Sequence, residues 1–212
     1  KRFVRNLEKA YRQIWVDWCN STNRSKKLKY CSCTSFDEYY NSAIDRMDVE
    51  DDETAVKLLR YALRKNPESA NALNNLGISL INLGKDHFRR AILCFRKAIS
   101  FDPTHGSAYK HLGRVLDDMK QPRYYREAEF AYTTAMQLLP NDADLLYMFA
   151  NFQLSLGNPR KALDYYSKAM SLSYENSDMH ANHIFAMNYV SECSQDSILK
   201  QSLRWDERYG FN

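Results

Sequence analysis

The sequence predicts an all-α fold made of about four helix–turn–helix repeats with flanking helices. Residues 71–103 predict two amphipathic helices, because apolar side chains recur in each at helical spacing. The same spacing returns three more times along the chain. The 212 residues include only six glycines and five prolines, too few for a turn-rich all-β protein. These three observations together indicate a stack of helical pairs.

The second repeat shows the pattern most clearly. Small residues stand where two close helices would touch, with Gly77 on the first helix and Ala91 and Ala98 on the second. Gly84 is placed to end the first helix, and Pro103 to stop the second. One such pair cannot bury its apolar face alone, so it predicts neighbours of the same kind.

The repeats occupy four frames, 36–69, 70–105, 106–142 and 143–176. The second frame is two residues longer than the first and the third is three longer. We expect the extra residues in the turns between the helices, at Lys85 to Arg90 and at Lys120 to Arg126. The order Leu-Gly, Ala, aromatic, Ala, Pro resembles the tetratricopeptide repeat (TPR). That resemblance implies an α-solenoid, a right-handed superhelix whose concave groove binds extended peptide.

Two segments flank the repeats. Residues 1–35 predict an N-terminal amphipathic helix at 2–19 followed by a polar, basic loop. This helix is either the second helix of an upstream repeat or a cap. Residues 177–212 predict a C-terminal helical pair, Ser177 to Val190 and Asp196 to Tyr209, which departs from the plain repeat.

Charge and composition narrow the class of partner. The net charge is +4, and residues 1–35 carry nine Lys and Arg against two acids. That leader lacks the Arg-rich or aromatic-interleaved pattern of nucleic-acid modules, so nucleic acid is not favoured as a partner. No apolar run approaches the roughly 18 residues of a membrane span, and we expect no membrane partner. With nucleic acid and membrane not favoured, the sequence indicates a polypeptide or protein as the partner.

The pattern of cysteines and histidines does not favour a disulfide or a metal site. Five scattered cysteines, including a lone C-x-C at Cys31 and Cys33, indicate free thiols and a cytoplasmic or nuclear location. His180 and His183 are three residues apart but lack further ligands, so we predict no metal site. The sequence shows no phosphate loop, nucleophile elbow or carboxylate pair, and we therefore predict no catalytic residue and no cofactor in this chain.

The candidate peptide-binding residues follow from the repeat. Positions two, five, six and nine of each first helix tend to face a TPR groove, and an asparagine amide there can both donate to and accept from a peptide backbone. The alternative is that these asparagines are merely solvated. The predicted groove residues are Tyr40, Asn41, Asn74, Asn75, Lys110, His111, Arg114, Tyr147, Asn151 and Asn182. The carboxylate clamp of chaperone adaptors is not favoured, because only Asn75, Lys110 and Arg114 come near its pattern.

Residues 179–209 carry a second resemblance. The run His180-Ala-Asn-His-Ile-Phe-Ala-Met-Asn-Tyr189, followed by Arg204-Trp205, resembles the segment that joins the TPR array to the catalytic region in O-linked N-acetylglucosamine (O-GlcNAc) transferase-like proteins. It implies that this chain is the substrate-selecting arm of a glycosyltransferase-like protein, whose catalytic region would lie outside residues 1–212. That parent protein would use UDP-GlcNAc.

The same resemblance implies a ladder of asparagines that holds the acceptor polypeptide. Asn41, Asn75 and Asn182 share one repeat position, while His111 and Met148 interrupt the ladder. One alternative is a free-standing TPR adaptor or scaffold for protein–protein interaction. Another is a homo-oligomer that assembles through the convex face.

The C-terminal segment offers a way to separate these readings. A transferase segment predicts that Phe185, Ile198 and Trp205 are partly exposed. An adaptor predicts that the same side chains pack onto the fourth repeat.

Overall fold

The computed structural model describes residues 34–173 and 176–210, whose regular structure is entirely helical. The α-helices are α1 Phe36–Asp48, α2 Asp52–Lys65, α3 Ala70–Asn82, α4 Phe88–Phe101, α5 Gly106–Asp118, α6 Pro122–Leu138, α7 Ala143–Ser155, α8 Pro159–Leu172, α9 Ser177–Met187 and α10 Gln195–Tyr209. A short 3₁₀ helix, Lys85–His87, precedes α4. The all-α class is confirmed. The predicted N-terminal helix, the basic loop up to residue 33, Cys31 and Cys33 lie outside the described residues.

The chain divides into two compact units, residues 1–67 and residues 68–212. The described part of the first unit contains α1 and α2, which pack on each other. In the second unit α3, α5 and α7 each pack against the helix that follows, and α9 packs against α8. We call α1, α3, α5, α7 and α9 the A helices, and α2, α4, α6 and α8 the B helices. In the described part of the chain, no helix is both long and apolar enough to cross a bilayer.

Each A helix begins at a side chain that caps its first turn. Ser35, Ser69, His105, Asp142 and Asn176 each accept a backbone N–H from the turn that follows them. Such caps satisfy donors that the helix itself leaves unpaired, and each contributes about 1 kcal/mol. The A helices therefore start at equivalent places in the repeat.

The ends of four A helices are also equivalent. The second residue after α1, α3, α5 and α7 has a positive φ: Glu50 at 58°, Gly84 at 110°, Lys120 at 48° and Gly157 at 78°. This left-handed conformation reverses the chain into the B helix, and glycine adopts it without strain. Tyr189 stands at the corresponding place after α9 and does not adopt it. The repeat pattern therefore changes at α9.

Close packing between A and B helices explains the Leu-Gly motif. A Cβ on Gly77 would lie 2.5 Å from Cε1 of Phe95, and one on Gly113 would lie 2.8 Å from Cδ1 of Tyr132. Both rings are buried, so the glycines leave the space that the aromatic side chains fill. In the fourth repeat Ala150 takes the glycine's place.

The third repeat corrects one sequence prediction. We expected its three extra residues in the turn between Lys120 and Arg126, but α6 already begins at Pro122 and has 17 residues, against 14 in α8. Pro122 takes the first helical position, where its missing N–H costs nothing, so the helix includes residues that were expected in the turn. In the second repeat the extra residues do lie in the turn, as the 3₁₀ helix Lys85–His87.

Candidate functional site

In the first unit, the two predicted groove residues lie on α1. Tyr40 is half-buried and its ring stacks on Phe36, with ring centroids 5.5 Å apart. Asn41 is exposed on the same helix. The stacked ring fixes Tyr40, and the neighbouring amide of Asn41 reaches solvent.

On α3 of the second unit, the adjacent asparagines differ in burial. Asn74 is only 5% exposed, and its Nδ2 donates to Oδ1 of Asn75 over 3.3 Å. The Oδ1 of Asn74 is buried without a hydrogen-bond partner. Asn75 is half-buried, so of the two amides it is the one nearer to solvent.

The basic residue Lys110 on α5 is already neutralised within the chain. Its Nζ donates to both carboxylate oxygens of Asp142, over 2.9 and 2.8 Å, and its side chain is 13% exposed. Burial raises the pKa of Asp142, but the hydrogen bonds from Lys110 and from the Leu145 backbone outweigh that effect and leave the pKa lowered. The same carboxylate caps α7 through Leu145. Lys110 therefore fixes the start of the next A helix.

His111 is held against the core of the second repeat. Its ring stacks on Phe95 with ring centroids 5.9 Å apart, and its Nδ1 is buried without a partner. Burial, followed by the charges of Arg114 and Lys110, lowers the pKa of His111 to about 4. His111 is therefore neutral at pH 7. Arg114, one turn further along, is half-buried and forms no ion pair within the part of the chain that the structure describes.

Three predicted groove residues meet in one hydrogen-bonded cluster where α7, α8 and α9 come together. The Nδ2 of Asn182 on α9 donates to the Tyr147 hydroxyl over 2.7 Å and to Oδ1 of Asn151 over 3.2 Å. The hydroxyl of Tyr166 on α8 donates to the same Oδ1 over 2.5 Å. We call Asn182, Asn151, Tyr147 and Tyr166 the amide cluster.

The amide cluster leaves two groups available to a ligand. Asn151 uses its oxygen twice, so its Nδ2 keeps its donors, and Asn182 uses its nitrogen, so its Oδ1 keeps its acceptor capacity. Within the described residues, neither atom bonds another group and neither is fully enclosed, although both side chains are half-buried. A donor and an acceptor therefore stand side by side on neighbouring A helices.

An open pocket of about 680 Å³ adjoins the cluster. Its lining residues are Asn151, Leu154, Ser155, Gly157, Pro159, Phe185 and Tyr189. Phe185 is 53% exposed and Tyr189 61% exposed, and their rings meet edge to face with centroids 5.1 Å apart. Two aromatic side chains that are both more than half exposed therefore line the same pocket.

The C-terminal helix α10 is loosely covered. None of its residues is buried, and Leu199 and Leu203 are more than half exposed. Ile198 and Trp205 are half-buried, and the Trp205 indole N–H donates to the Ser177 carbonyl over 3.1 Å. Trp205 thus touches the start of α9 and keeps part of its ring in solvent.

Sequence reasoning missed two members of this region. The repeat pattern places Tyr166 at a core aromatic position and gives no sign that its hydroxyl orients Asn151. Tyr189 stands at the end of the run that resembles the junction segment, which gives no sign that it lines a pocket. Extending the groove positions to α9 would have placed Phe185 at position nine, in line with Asn151. Within the described residues, no three His, Cys, Asp or Glu side chains gather as a metal site.

Comparison with known proteins agrees with this architecture. A family profile described as "Tetratricopeptide repeat" matches residues 70–105 and 143–176. The chain carries tetratricopeptide repeats. Such repeats stack into extended surfaces that bind other proteins, so these residues form a protein-interaction region.

Two curated relatives share part of their length with this chain. "Protein O-mannosyl-transferase TMTC3" of Homo sapiens is 33% identical over 145 residues, which are 68% of this chain and 15% of that protein. The "Peroxisomal targeting signal receptor" of Eremothecium gossypii is 26% identical over 145 residues, 66% of this chain and 24% of the receptor. The chain thus spans no more than a quarter of either relative.

Solved structures share the TPR fold. MamA from Desulfovibrio magneticus RS-1 superposes with a TM-score of 0.69 at 22% identity, covering 81% of this chain and 93% of that one. YrrB, described as "a TPR protein with an unusual peptide-binding site", gives a TM-score of 0.63 at 20% identity, covering 81% and 86%. At these identities the likeness concerns the fold.

Proposed function

We propose that the A helices of the second unit bind an extended polypeptide, and that Asn151 and Asn182 anchor its backbone. The observation that carries this proposal is the orientation of the two amides. Tyr147 and Tyr166 hold them so that one donor group and one acceptor remain open. An extended peptide presents the complementary N–H and C=O groups along its backbone whatever its side chains are.

The other predicted groove residues divide by their burial. Asn75 and Arg114 are half-buried. Asn75 follows Asn74 directly and accepts a hydrogen bond from it, and Arg114 lies one turn from Lys110, whose ammonium is paired with Asp142. We infer that Asn75 and Arg114 make additional contacts with the peptide. Lys110 and His111 are held by Asp142 and Phe95 and support the surface on which the peptide lies. Within the second unit, Asn75 and Asn182 remain the proposed members of the asparagine ladder, and Asn182 has the more contacts that support it.

We further propose that this region selects acceptor proteins for a glycosyltransferase of which it is one part. Two independent features support the proposal. Residues 179–209 resemble the junction segment of O-GlcNAc transferase-like proteins, and the TMTC3 relative is named as a protein O-mannosyl-transferase. The partial exposure of Ile198 and Trp205 on α10 leaves apolar surface that a catalytic region could contact in such a protein. UDP-GlcNAc as the sugar donor follows from the first resemblance alone.

A free-standing adaptor is the competing function, and a homo-oligomeric scaffold a third. A free-standing adaptor would use the same peptide-binding surface, so the test below applies equally to the glycosyltransferase arm and to the adaptor. A cytoplasmic or nuclear location stays part of the proposal.

The test uses the 212-residue chain labelled with ¹⁵N and peptides of about nine residues made of serine and alanine. We expect the side-chain amide signals of Asn151 and Asn182 to shift on titration. Asn151→Asp keeps an oxygen for Tyr166 and Asn182 but removes the donors, and it should weaken binding about tenfold. Asn141→Ala, at an exposed turn position, is the matched control. Binding that leaves both amide signals unmoved, or that survives Asn151→Asp, would contradict the anchoring role.

A further inference from the structure

We infer that the pocket beside the amide cluster is a specificity subsite for one bulky apolar side chain of the bound polypeptide. This inference rests on the proposed peptide binding and adds the class of side chain that is selected. Asn151 belongs to both features, since it lines the pocket and carries the open donor. A peptide anchored on that amide therefore places an adjacent side chain at the mouth of the pocket.

The lining of the pocket is matched to an uncharged occupant. None of its seven residues carries a charge. The hydroxyl of Ser155 donates to the Phe152 carbonyl, so it needs no partner from a ligand. Two charged residues near the lining in sequence, Arg160 directly after Pro159 and Glu192 three residues after Tyr189, pair with each other. The lining therefore offers a Lys or Glu side chain no ion-pair partner, whereas an apolar side chain can bury surface against it.

The aromatic pair argues for a large occupant. Phe185 and Tyr189 form one wall and Leu154 and Pro159 also line the space. Their edge-to-face arrangement leaves ring surface open to a third apolar group. The space of about 680 Å³ is larger than any single side chain, so the size preference rests on the aromatic wall, of which a large apolar side chain covers more than alanine does. We therefore expect phenylalanine or a comparably large apolar residue to be preferred.

The fold explains why the subsite lies here. The second residue after each earlier A helix has a positive φ, and after α7 this residue is Gly157, which lines the pocket. Tyr189 breaks this rule after α9 and brings an aromatic ring to the pocket instead. The pocket thus lies at a junction where the repeat pattern changes.

The test varies the central residue of the serine–alanine peptide among Phe, Leu, Ala and Glu and measures dissociation constants with the 212-residue chain. We expect Phe to bind at least about tenfold more tightly than Ala, and Glu to bind no better than Ala. The Leu154 methyl signals, assigned with Leu154→Ile, should shift most with the Phe peptide. Phe185→Ala should abolish the difference between Phe and Ala. Phe130→Ala is the matched control, since Phe130 on α6 is 63% exposed and outside the pocket.

The outcomes separate the subsite from the peptide binding on which it rests. Equal binding of Phe and Ala peptides that still depends on Asn151 overturns the subsite and leaves the peptide surface standing. Absence of binding by every peptide overturns both. Leu154 signals that move with protein concentration alone would show the pocket to be filled by a second copy of the chain, which also overturns the inference.

Discussion

Gly77 on α3 lies directly against the ring of Phe95 on α4, so close that a Cβ would come within 2.5 Å of Cε1. Real carbon atoms do not approach so closely, and Phe95 is fully buried and has no room to withdraw. We expect Gly77→Ala to destabilise the chain by about 1 to 3 kcal/mol, even though alanine is the better helix former by about 1 kcal/mol. Urea unfolding measures the change.

A compensating variant tests the cause of that loss. Gly77→Ala combined with Phe95→Leu should be more stable than the sum of the two single changes, because the smaller side chain leaves room for the new methyl group. Strict additivity of the two single losses would contradict the steric explanation.

Lys120 holds a left-handed conformation, φ 48°, at the place where Gly84 and Gly157 stand in other repeats. The conformation costs a residue with a Cβ about 1 kcal/mol relative to glycine. Its ammonium pairs over 2.7 Å with Asp117, whose side chain is only 11% exposed, and alanine and glycine at this position remove the pair equally. Lys120→Ala removes the pair but keeps the Cβ, so Lys120→Gly should be more stable than Lys120→Ala by about 1 kcal/mol in urea unfolding. Equal stability of the two variants would show that the position is not strained.

Much of the fold follows from the sequence because the repeat pattern is local. Helical periodicity and the small residues Gly77, Ala91 and Ala98 identify the helices without knowledge of their neighbours. The turn residue Lys120 is different, because a lysine side chain does not favour a positive φ. The conformation follows from its place in the repeat, where Gly84 and Gly157 stand in other repeats. The added turn of α6 escaped prediction for a similar reason, because a proline suits both a turn and the first position of a helix.

The candidate site was only partly accessible to sequence reasoning. Position in the repeat singled out Asn151, Asn182 and Tyr147, but it gave no sign that they would bond to one another. Which amide atoms remain open depends on Tyr166, a residue that the sequence pattern assigns to the core. The anchoring geometry is therefore a property of tertiary packing.

Burial of His111 makes stability depend on pH. Its pKa is lowered to about 4 in the folded chain, against an ordinary value of 6.5. The unfolded chain binds the proton more readily, so this contribution is complete above pH 6.5 and is lost as the pH falls toward 4. Between pH 7 and about pH 4.5 we expect a loss of about 2 kcal/mol from this residue.

The comparison with His111→Gln isolates that contribution. Urea unfolding of both proteins at the two pH values gives the difference, and the other histidines and carboxylates cancel to first order. The variant should show a smaller loss on acidification. Identical losses in the two proteins would mean that His111 takes up its proton equally in the folded and unfolded chain.

His105 caps α5 with an unusual acceptor, an imidazole nitrogen. Its Nδ1 accepts the Ala108 backbone N–H over 3.2 Å, and its Nε2 lies 2.9 Å from Oδ1 of Asn71 on α3. Both contacts are satisfied together only by the neutral ring with its proton on Nε2, which then donates to Asn71. The side chain therefore fixes the start of one A helix and ties it to the A helix before it.

Two substitutions at His105 separate the contribution of the helix cap on α5 from that of the contact with Asn71. Asparagine is a strong N-cap residue but is shorter than histidine, so His105→Asn should keep the cap and lose the contact with Asn71. His105→Ala loses both and should cost about 1 kcal/mol more than the asparagine variant in urea unfolding. Amide hydrogen exchange at Ala108 gives the local readout, with protection retained in His105→Asn and lost in His105→Ala. If both variants lose protection at Ala108 alike, the contact with Asn71, and not the cap, is what holds the first turn of α5.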